Sequence, residues 1–352
     1  MNLNIMEILN EAVELDASDI FLVAGSSPGF KVRGNIEYHH ERLMPEDTKA
    51  LISQIYELKD HRDMSSFLHN GEDDFSFSIP HIGRFRVNAY HQRGSQSAVL
   101  RIVKFTLPDP KALHIPENVM RFAQQRKGLV LITGSAGSGK TTSLACLIDE
   151  INKTRNGHII TIEDPIEYLH SHKMSIVSQR EINHDTSDYL TALRAALREA
   201  PDVVLVGEMR DLETIKTVLS AAETGHLVFS TLHTTGAANT INRIIDVFPP
   251  DQQQQIRVQL SMVLQAVVSQ QLIPTIDGKM RPAFEVMVVN STIRSQIRDG
   301  KIHQIDNSIL SGKAQGMITM DSSIEELVKE GVVSEENALI FASNPDVLKR
   351  KI

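Results

Sequence analysis

The sequence has almost no cysteine and no long hydrophobic run. Cys146 is the only cysteine in 352 residues, so an internal disulfide is impossible and no Cys-x-x-Cys pair exists to hold a structural zinc. Its apolar stretches, such as residues 128–133 and 262–268, are far shorter than the roughly 20 residues of a membrane-spanning helix, and its first residues do not resemble a signal peptide. We therefore expect a cytoplasmic protein without zinc or direct membrane insertion, which works at a membrane only through a partner.

Excess positive charge is also missing. The net charge is −8, the pI is about 6.0, and there is no tryptophan. These values weigh against a protein that coats nucleic acid through bulk charge or stacks bases on an aromatic-rich basic surface. Hydrophobic residues make up 41% and charged residues 23% of the chain, which is ordinary globular usage. We expect two domains and no nucleic-acid partner.

The pattern of elements changes along the chain. Residues 1–105 combine helical spacing at 4–15 and 45–58 with short strand-like runs, such as the alternating segment 84–90, and predict an α+β domain. Residues 106–117 contain Pro108, Pro110 and Pro116 and predict a linker. From residue 118, apolar strands alternate with helices, which predicts an α/β domain with a mostly parallel sheet. From about residue 239, the pattern predicts a mainly helical region.

A phosphate-binding loop is the strongest motif. The pattern G-x-x-x-x-G-K-[ST] is matched completely, after a predicted strand and before a predicted helix. In such loops the backbone N–H groups surround phosphates, the lysine reaches the β- and γ-phosphates, and the hydroxyl after it coordinates Mg²⁺. The alternative is a Gly/Ser-rich surface turn. The predicted binding residues for ATP and Mg²⁺ are Gly134, Ser135, Ala136, Gly137, Ser138, Gly139, Lys140, Thr141 and Thr142.

Carboxylates follow two further apolar strands. Glu208 comes just after residues 203–206, where the acidic group that serves the metal sits in many P-loop proteins. Glu163, Asp164 and Glu167 follow residues 159–162, and a carboxylate there can accept a proton from an attacking water. Charged surface loops at strand ends would give the same two patterns.

Two histidines bracket a fourth strand-like run. His226 precedes residues 227–232 and His233 follows them. Their spacing is too wide for a local zinc motif, and no cysteine accompanies them. Histidines beside a P-loop sheet can sense the γ-phosphate, although a structural or surface role is also compatible with the pattern.

These four segments, in this order, resemble the Walker A, Asp box, Walker B and His box of the secretion ATPase superfamily. The similarity is closer to the retraction ATPases of type IV pili, the PilT family. It extends over nearly the whole chain, through residues 17–20, 74–77, 84–88, 161–168, 197–202, 207–211 and 222–226. The resemblance implies a PAS-like N-terminal α+β domain, a RecA-like P-loop ATPase domain with a helical C-terminal region, and a homo-hexamer that hydrolyses ATP.

The resemblance also implies roles for single residues. Glu163 becomes the catalytic base, and Glu208 becomes the Walker B group, which shares Mg²⁺ with Thr141. His226 and His233 become sensors. Arginines of the N-terminal domain approach the phosphates in this family, and the candidates here are Arg84, Arg86 and Arg101. Solvent-facing strand arginines are the alternative for each of these three.

Three features favour pilus retraction over pilus assembly. Assembly and type II secretion ATPases usually carry a four-cysteine zinc insertion and a longer N-terminal region, and this chain has neither. Residues 293–298 keep the Ile-Arg and Ile-Arg skeleton of a motif typical of retraction ATPases. One position departs from the family pattern, because Phe21 replaces a histidine that is frequent there.

The predicted function is ATP-driven pilus retraction through an inner-membrane platform protein. A pilus assembly or type II secretion ATPase is the first alternative, and a RecA-like nucleic-acid motor is a more distant one.

Overall fold

The computed structural model describes residues 4–32, 34–59, 61–80, 82–103 and 107–352. The chain divides into one compact unit of Met1–Thr106 with Glu167–Leu169 and a second of Leu107–Ile166 with His170–Ile352. The predicted limits, 1–105 and 118–352 with a linker at 106–117, stay a prediction, because residues 104–106 at this boundary lie outside the described residues.

The first unit has a six-stranded antiparallel sheet in the order β3-β2-β1-β6-β5-β4. Phe85, Val87 and Ala89 are buried while the residues between them are not, so the predicted alternation in this segment is confirmed. The helices and strands of the first unit are α1 (Ile5–Glu14), β1 (Asp19–Leu22), β2 (Gly29–Val32), β3 (Asn35–Tyr38), α2 (Pro45–Leu58), α3 (Ser65–Asn70), β4 (Glu72–Ile79), β5 (Gly83–Gln92) and β6 (Ser95–Val103).

The second unit has a seven-stranded sheet in the order β13-β12-β7-β11-β10-β8-β9. All neighbouring pairs are parallel except β12 with β13. Apolar clusters cover both faces of the sheet, as expected for parallel strands that are buried on both sides. The strands are β7 (Gly128–Thr133), β8 (His158–Glu163), β9 (Ile176–Glu181), β10 (Val203–Val206), β11 (Leu227–Leu232), β12 (Leu264–Pro274) and β13 (Met280–Val288).

Helices connect and flank this sheet. The α/β fold class with an N-terminal α+β part is confirmed. Among the described residues, no helix is both long enough and apolar enough to span a membrane. The helices are α4 (Glu117–Met120), α5 (Lys140–Thr154), α6 (Tyr189–Ala196), α7 (Leu212–Glu223), α8 (Ala237–Asp246), α9 (Pro250–Val263), α10 (Ser291–Arg298), α11 (Ile305–Ser311), α12 (Met320–Lys329), α13 (Glu335–Phe341) and α14 (Pro345–Leu348).

The predicted helical region from residue 239 needs a correction. Helix α9 ends at Val263, and β12 begins with the next residue, Leu264. This strand pairs in parallel with β7, and β13 returns antiparallel to it. The backbone hydrogen bonds offered by the edge of β7 outweigh the local helical pattern, which is a tertiary effect that propensity does not capture. At the start of α6, Asp188 accepts a hydrogen bond from the backbone N–H of Thr191 and caps the helix, which begins at Tyr189.

Candidate active site

The carboxyl ends of four parallel strands place the predicted residues along one edge of the sheet. In the order β7-β11-β10-β8, neighbouring strands run in the same direction and in close register. The glycine loop follows β7, His233 follows β11, Glu208 follows β10, and Glu163 ends β8. Ligands of open α/β sheets bind at this edge. The structure therefore brings Lys140, Glu163, Glu208 and His233 to the edge of the sheet at which these parallel strands end.

The glycine loop leads directly into α5, whose first residue is Lys140. Gly139 precedes it with a φ of 87°, a left-handed conformation that glycine adopts without strain. The Lys140 Nζ donates hydrogen bonds to the carbonyl oxygens of Gly134, at 2.9 Å, and Ser135, at 2.8 Å. The loop thus combines the first N–H groups of a 15-residue helix with a buried ammonium group. This combination suits a polyphosphate anion.

Glu163 is buried and held in one orientation. Its Oε1 accepts hydrogen bonds from the Thr161 hydroxyl, at 2.6 Å, and from the Gln179 Nε2, at 3.2 Å. Gln179 lies on β9, and its own Oε1 accepts a hydrogen bond from the backbone N–H of His170 at 2.7 Å. A carboxylate fixed in this way can orient or deprotonate a water molecule. Sequence reasoning missed Gln179 because it did not predict β9.

Glu208 is buried beside two basic side chains. Its Oε1 lies 2.6 Å from the Arg210 Nη2, and its Oε2 lies 3.5 Å from the His233 Nε2. Within the described part of the chain, Oε2 accepts no hydrogen bond. An orphaned carboxylate oxygen near a helix that begins with Lys140 and Thr141 is a hard oxygen donor of the kind that Mg²⁺ takes alongside substrate phosphates. The residues present therefore fit a magnesium ion held by Glu208 and Thr141.

His226 lies at the opposite edge of the sheet. Its backbone carbonyl accepts a hydrogen bond from Gly128, the first residue of β7, whereas the glycine loop follows the last residue of that strand. The His226 Nδ1 lies 3.0 Å from the carbonyl oxygen of Ala221. The six residues of β11 span about 20 Å at roughly 3.3 Å per residue. Within one chain His226 therefore lies away from the glycine loop, and its role as a sensor stays a prediction.

Tyr189, the first residue of α6, also lies at this edge. Its hydroxyl lies 2.9 Å from the position that a Cβ atom on Gly207 would take. Burial raises the pKa of Tyr189 above its usual range, and the charge of Glu208 raises it further. The hydroxyl therefore stays protonated next to the carboxylates, and its hydrogen-bonding end could not be recognised from the helical spacing of its ring.

The three candidate arginines share one face of the sheet in the first unit. Arg84 and Arg86 are two residues apart on β5, and Arg86 is the cross-strand partner of Arg101 on β6. The Arg101 Nε donates a hydrogen bond of 2.9 Å to Asp19. Like charges directly opposite each other destabilise a sheet unless an anion offsets them. Their approach to a phosphate stays a prediction.

A phosphate-type loop beside two buried carboxylates, at the carboxyl edge of a parallel sheet, defines a P-loop nucleoside triphosphate hydrolase. The family model described as "Type II/IV secretion system protein" matches residues 1–343, and the chain belongs to this family.

The similarity to individual relatives extends over nearly their full length. The chain is 44% identical over 344 residues to the type IV pilus retraction ATPase PilT of Pseudomonas aeruginosa, covering 98% of this chain and 99% of that protein. It is 42% identical over 345 residues to the twitching motility protein of Neisseria gonorrhoeae, covering 97% and 91%. A crystal structure of the pilus retraction motor PilT with bound ADP superposes with a TM-score of 0.89 and 46% identity, covering 99% and 100%. The prediction of a pilus-retraction ATPase is confirmed.

Proposed function

We propose that the chain is one subunit of a homo-hexameric motor that hydrolyses ATP to retract type IV pili. The observation that carries this proposal is the meeting of the Lys140 loop, Glu163 and Glu208 at one edge of the sheet, in a chain similar from end to end to pilus retraction ATPases. The motor acts on the pilus through an inner-membrane platform protein, and thereby works at the cytoplasmic face of the membrane without inserting into it.

The first step is the binding of ATP. The N–H groups of residues 134–142 surround the phosphates, and Lys140 turns from the loop carbonyls to the β- and γ-phosphates. The loop carbonyls of Gly134 and Ser135 accept hydrogen bonds from this ammonium group, and on binding it replaces these neutral acceptors with a charged one. Hydrogen bonds to a charged acceptor are roughly twice as strong as bonds between neutral groups.

The second step is the attack of water on the γ-phosphate. Glu163 takes the proton, and the hydrogen bonds from Thr161 and Gln179 keep its carboxylate pointing in one direction. Glu208 and Thr141 would hold Mg²⁺, and the metal ion would supply positive charge that offsets the charge of the phosphates. His233, 3.5 Å from Glu208, reports the loss of the γ-phosphate. Arg84, Arg86 and Arg101 are candidates for the charge that stabilises the transferred phosphoryl group.

Deletion of the gene tests the direction of the motor. Cells without a retraction ATPase should carry more surface pili and lose twitching motility. A plasmid copy of the wild-type gene should restore both properties, as should Lys153→Ala, whereas Lys140→Ala should not. Deleted cells without any surface pili would instead assign the chain to pilus assembly.

A further inference from the structure

Gln270 on β12 lies directly beside the phosphate loop. In the pairing of β12 with β7, Ser269 is opposite Thr133, the last residue before the loop. Gln270 therefore falls level with Gly134, where the loop begins. Its side chain is only 3% exposed, although glutamine is seldom buried without a specific partner. The position and burial of this amide single it out among the residues that the sequence did not mark.

Two glycines of the loop pack against Gln270. A Cβ atom added to Gly134 would overlap the backbone carbonyl oxygen of Gln270, and one added to Gly139 would come within 2.8 Å of its Nε2. Real Cβ atoms do not approach other atoms so closely. One residue of β12 thus restricts the loop both at its first glycine and at the glycine before Lys140.

A hydrogen bond ties the same amide to the helix after the loop. The Ser143 hydroxyl donates to the Oε1 of Gln270 at 2.8 Å, and both side chains are buried. Ser143 lies in the first turn of α5, three residues after Lys140. The bond fixes the orientation of the amide, so its nitrogen faces Gly139 while its oxygen faces α5. Gln270 contacts the start of the loop, its end and the helix that presents Lys140.

We propose that Gln270 is a positioning residue for nucleotide binding. By holding both ends of the glycine loop against β12 and α5, it fixes the loop in the shape that binds phosphate before the nucleotide arrives. A site ordered in advance binds more tightly, because the conformational entropy is not lost at the moment of binding. The inference rests on the proposed nucleotide site and adds a residue outside the family's motifs to it.

The neighbouring Gln271 provides a matched control. Its side chain points to the other face of the strand, where the Nε2 donates a hydrogen bond of 3.4 Å to the carbonyl oxygen of Phe341. It is the same residue type on the same strand, and the hydrogen bond of its amide in the described part of the chain goes to Phe341 and not to the phosphate loop. A change at Gln271 should disturb packing without reaching the nucleotide.

The test compares Gln270→Met with Gln271→Met, which keep side-chain length but lose the amide. The affinity for a fluorescent ADP, with Mg²⁺ present, should fall about fivefold or more in Gln270→Met, the usual effect of losing one to two buried hydrogen bonds. Gln271→Met should stay within about twofold of wild type by the same reasoning. Wild-type affinity in a folded Gln270→Met, with only the melting temperature lowered, would overturn the proposal.

A double-mutant cycle with Ser143→Ala tests the pair itself. If the two residues act together, Ser143→Ala should weaken ADP binding by itself and add little in the Gln270→Met background. Fully additive losses would show that they do not act through one another and would contradict the positioning role. A wild-type protein that bound no ADP at all would instead contradict the nucleotide site, so the two failures are distinguishable.

Discussion

The seven-stranded sheet has an amino edge, where its parallel strands begin, and a carboxyl edge, where they end. The two edges differ in whether their polar side chains find hydrogen-bond partners. At the amino edge, Asp202 accepts a hydrogen bond from the backbone N–H of His158, and the ring of His158 contacts both Ser178 and the carbonyl oxygen of Glu199. At the carboxyl edge, the hydroxyl of Ser138 and the Oε2 of Glu208 are buried without a hydrogen-bond partner in the described part of the chain. Burying one polar atom unpaired costs about 1–3 kcal/mol.

This difference shows which edge is built for a ligand. The amino edge has a groove of about 480 Å³, lined by His158, Asp202 and His226 among others. The amino edge thus has both space and polar residues. Among the described residues, Ser138 and Glu208 at the carboxyl edge have buried polar atoms without hydrogen-bond partners, and a triphosphate with its metal ion would supply such partners. Polar side chains left without partners identify the site better than cavity volume does.

The largest expected effect is at the lysine of the carboxyl edge. Lys140→Ala should reduce ATP turnover by about 100-fold or more, because the charge that meets the β- and γ-phosphates is lost. Lys153→Ala is the control. Lys153 lies near the other end of the same helix, paired with Asp149 at 2.6 Å, and its loss should leave turnover within about twofold of wild type. The rate of phosphate release is measured for both variants. Equal rates would contradict a special role for Lys140 at the carboxyl edge.

Glu163→Gln should separate binding from chemistry. The amide keeps the size of the side chain but cannot take a proton, so turnover should fall by about 100-fold or more while ATP is still bound. Equilibrium binding of labelled ATP and single-turnover phosphate release provide the two readouts. Glu150→Gln, on the outer part of α5, should change neither. Retained steady-state hydrolysis in Glu163→Gln would disprove its assignment as the base.

The two histidines give a direct comparison between the edges. His233→Ala should lower turnover by about tenfold, which is the effect expected from the loss of one hydrogen bond to a charged group. His226→Ala should change turnover per folded subunit by no more than about twofold, because among the described residues its ring Nδ1 bonds to Thr224 and the Ala221 carbonyl oxygen at the amino edge. Similar losses in both variants, measured on subunits of unchanged oligomeric state, would show that the edges are not functionally distinct.

The smallest effect on turnover is expected at Asp202. Replacement by alanine leaves the backbone N–H of His158 without its acceptor. The free energy of unfolding should drop by about 1–2 kcal/mol, with turnover per folded subunit unchanged. Urea titration followed by circular dichroism measures the first quantity, and an ATPase assay at low temperature measures the second. Lower turnover with unchanged stability would place Asp202 in the catalytic machinery.

The sequence was sufficient for the features that local patterns encode. The glycine loop and the carboxylates after β8 and β10 follow from motif and strand periodicity, since parallel strands must end at a common edge. The helical prediction beyond residue 239 failed at β12 because of a long-range effect. Val267 and Val268 pair with the β7 edge instead of extending α9, and no local pattern shows which strand edge is open.

Gln179 and Gln270 were not predicted as site residues for the same reason. Gln179 reaches Glu163 across the β8–β9 pair, and Gln270 reaches the loop from β12, over 100 residues later in the chain. Their functions depend on which strands become neighbours, whereas their residue type is common at surfaces.

A structure with a non-hydrolysable ATP analogue and Mg²⁺ tests the central claim most directly. The phosphates should lie against the N–H groups of residues 134–142, with the metal ion on Thr141 and Glu208 and with Glu163 facing the γ-phosphate. A nucleotide bound in the groove at the amino edge, or a γ-phosphate remote from both carboxylates, would contradict it.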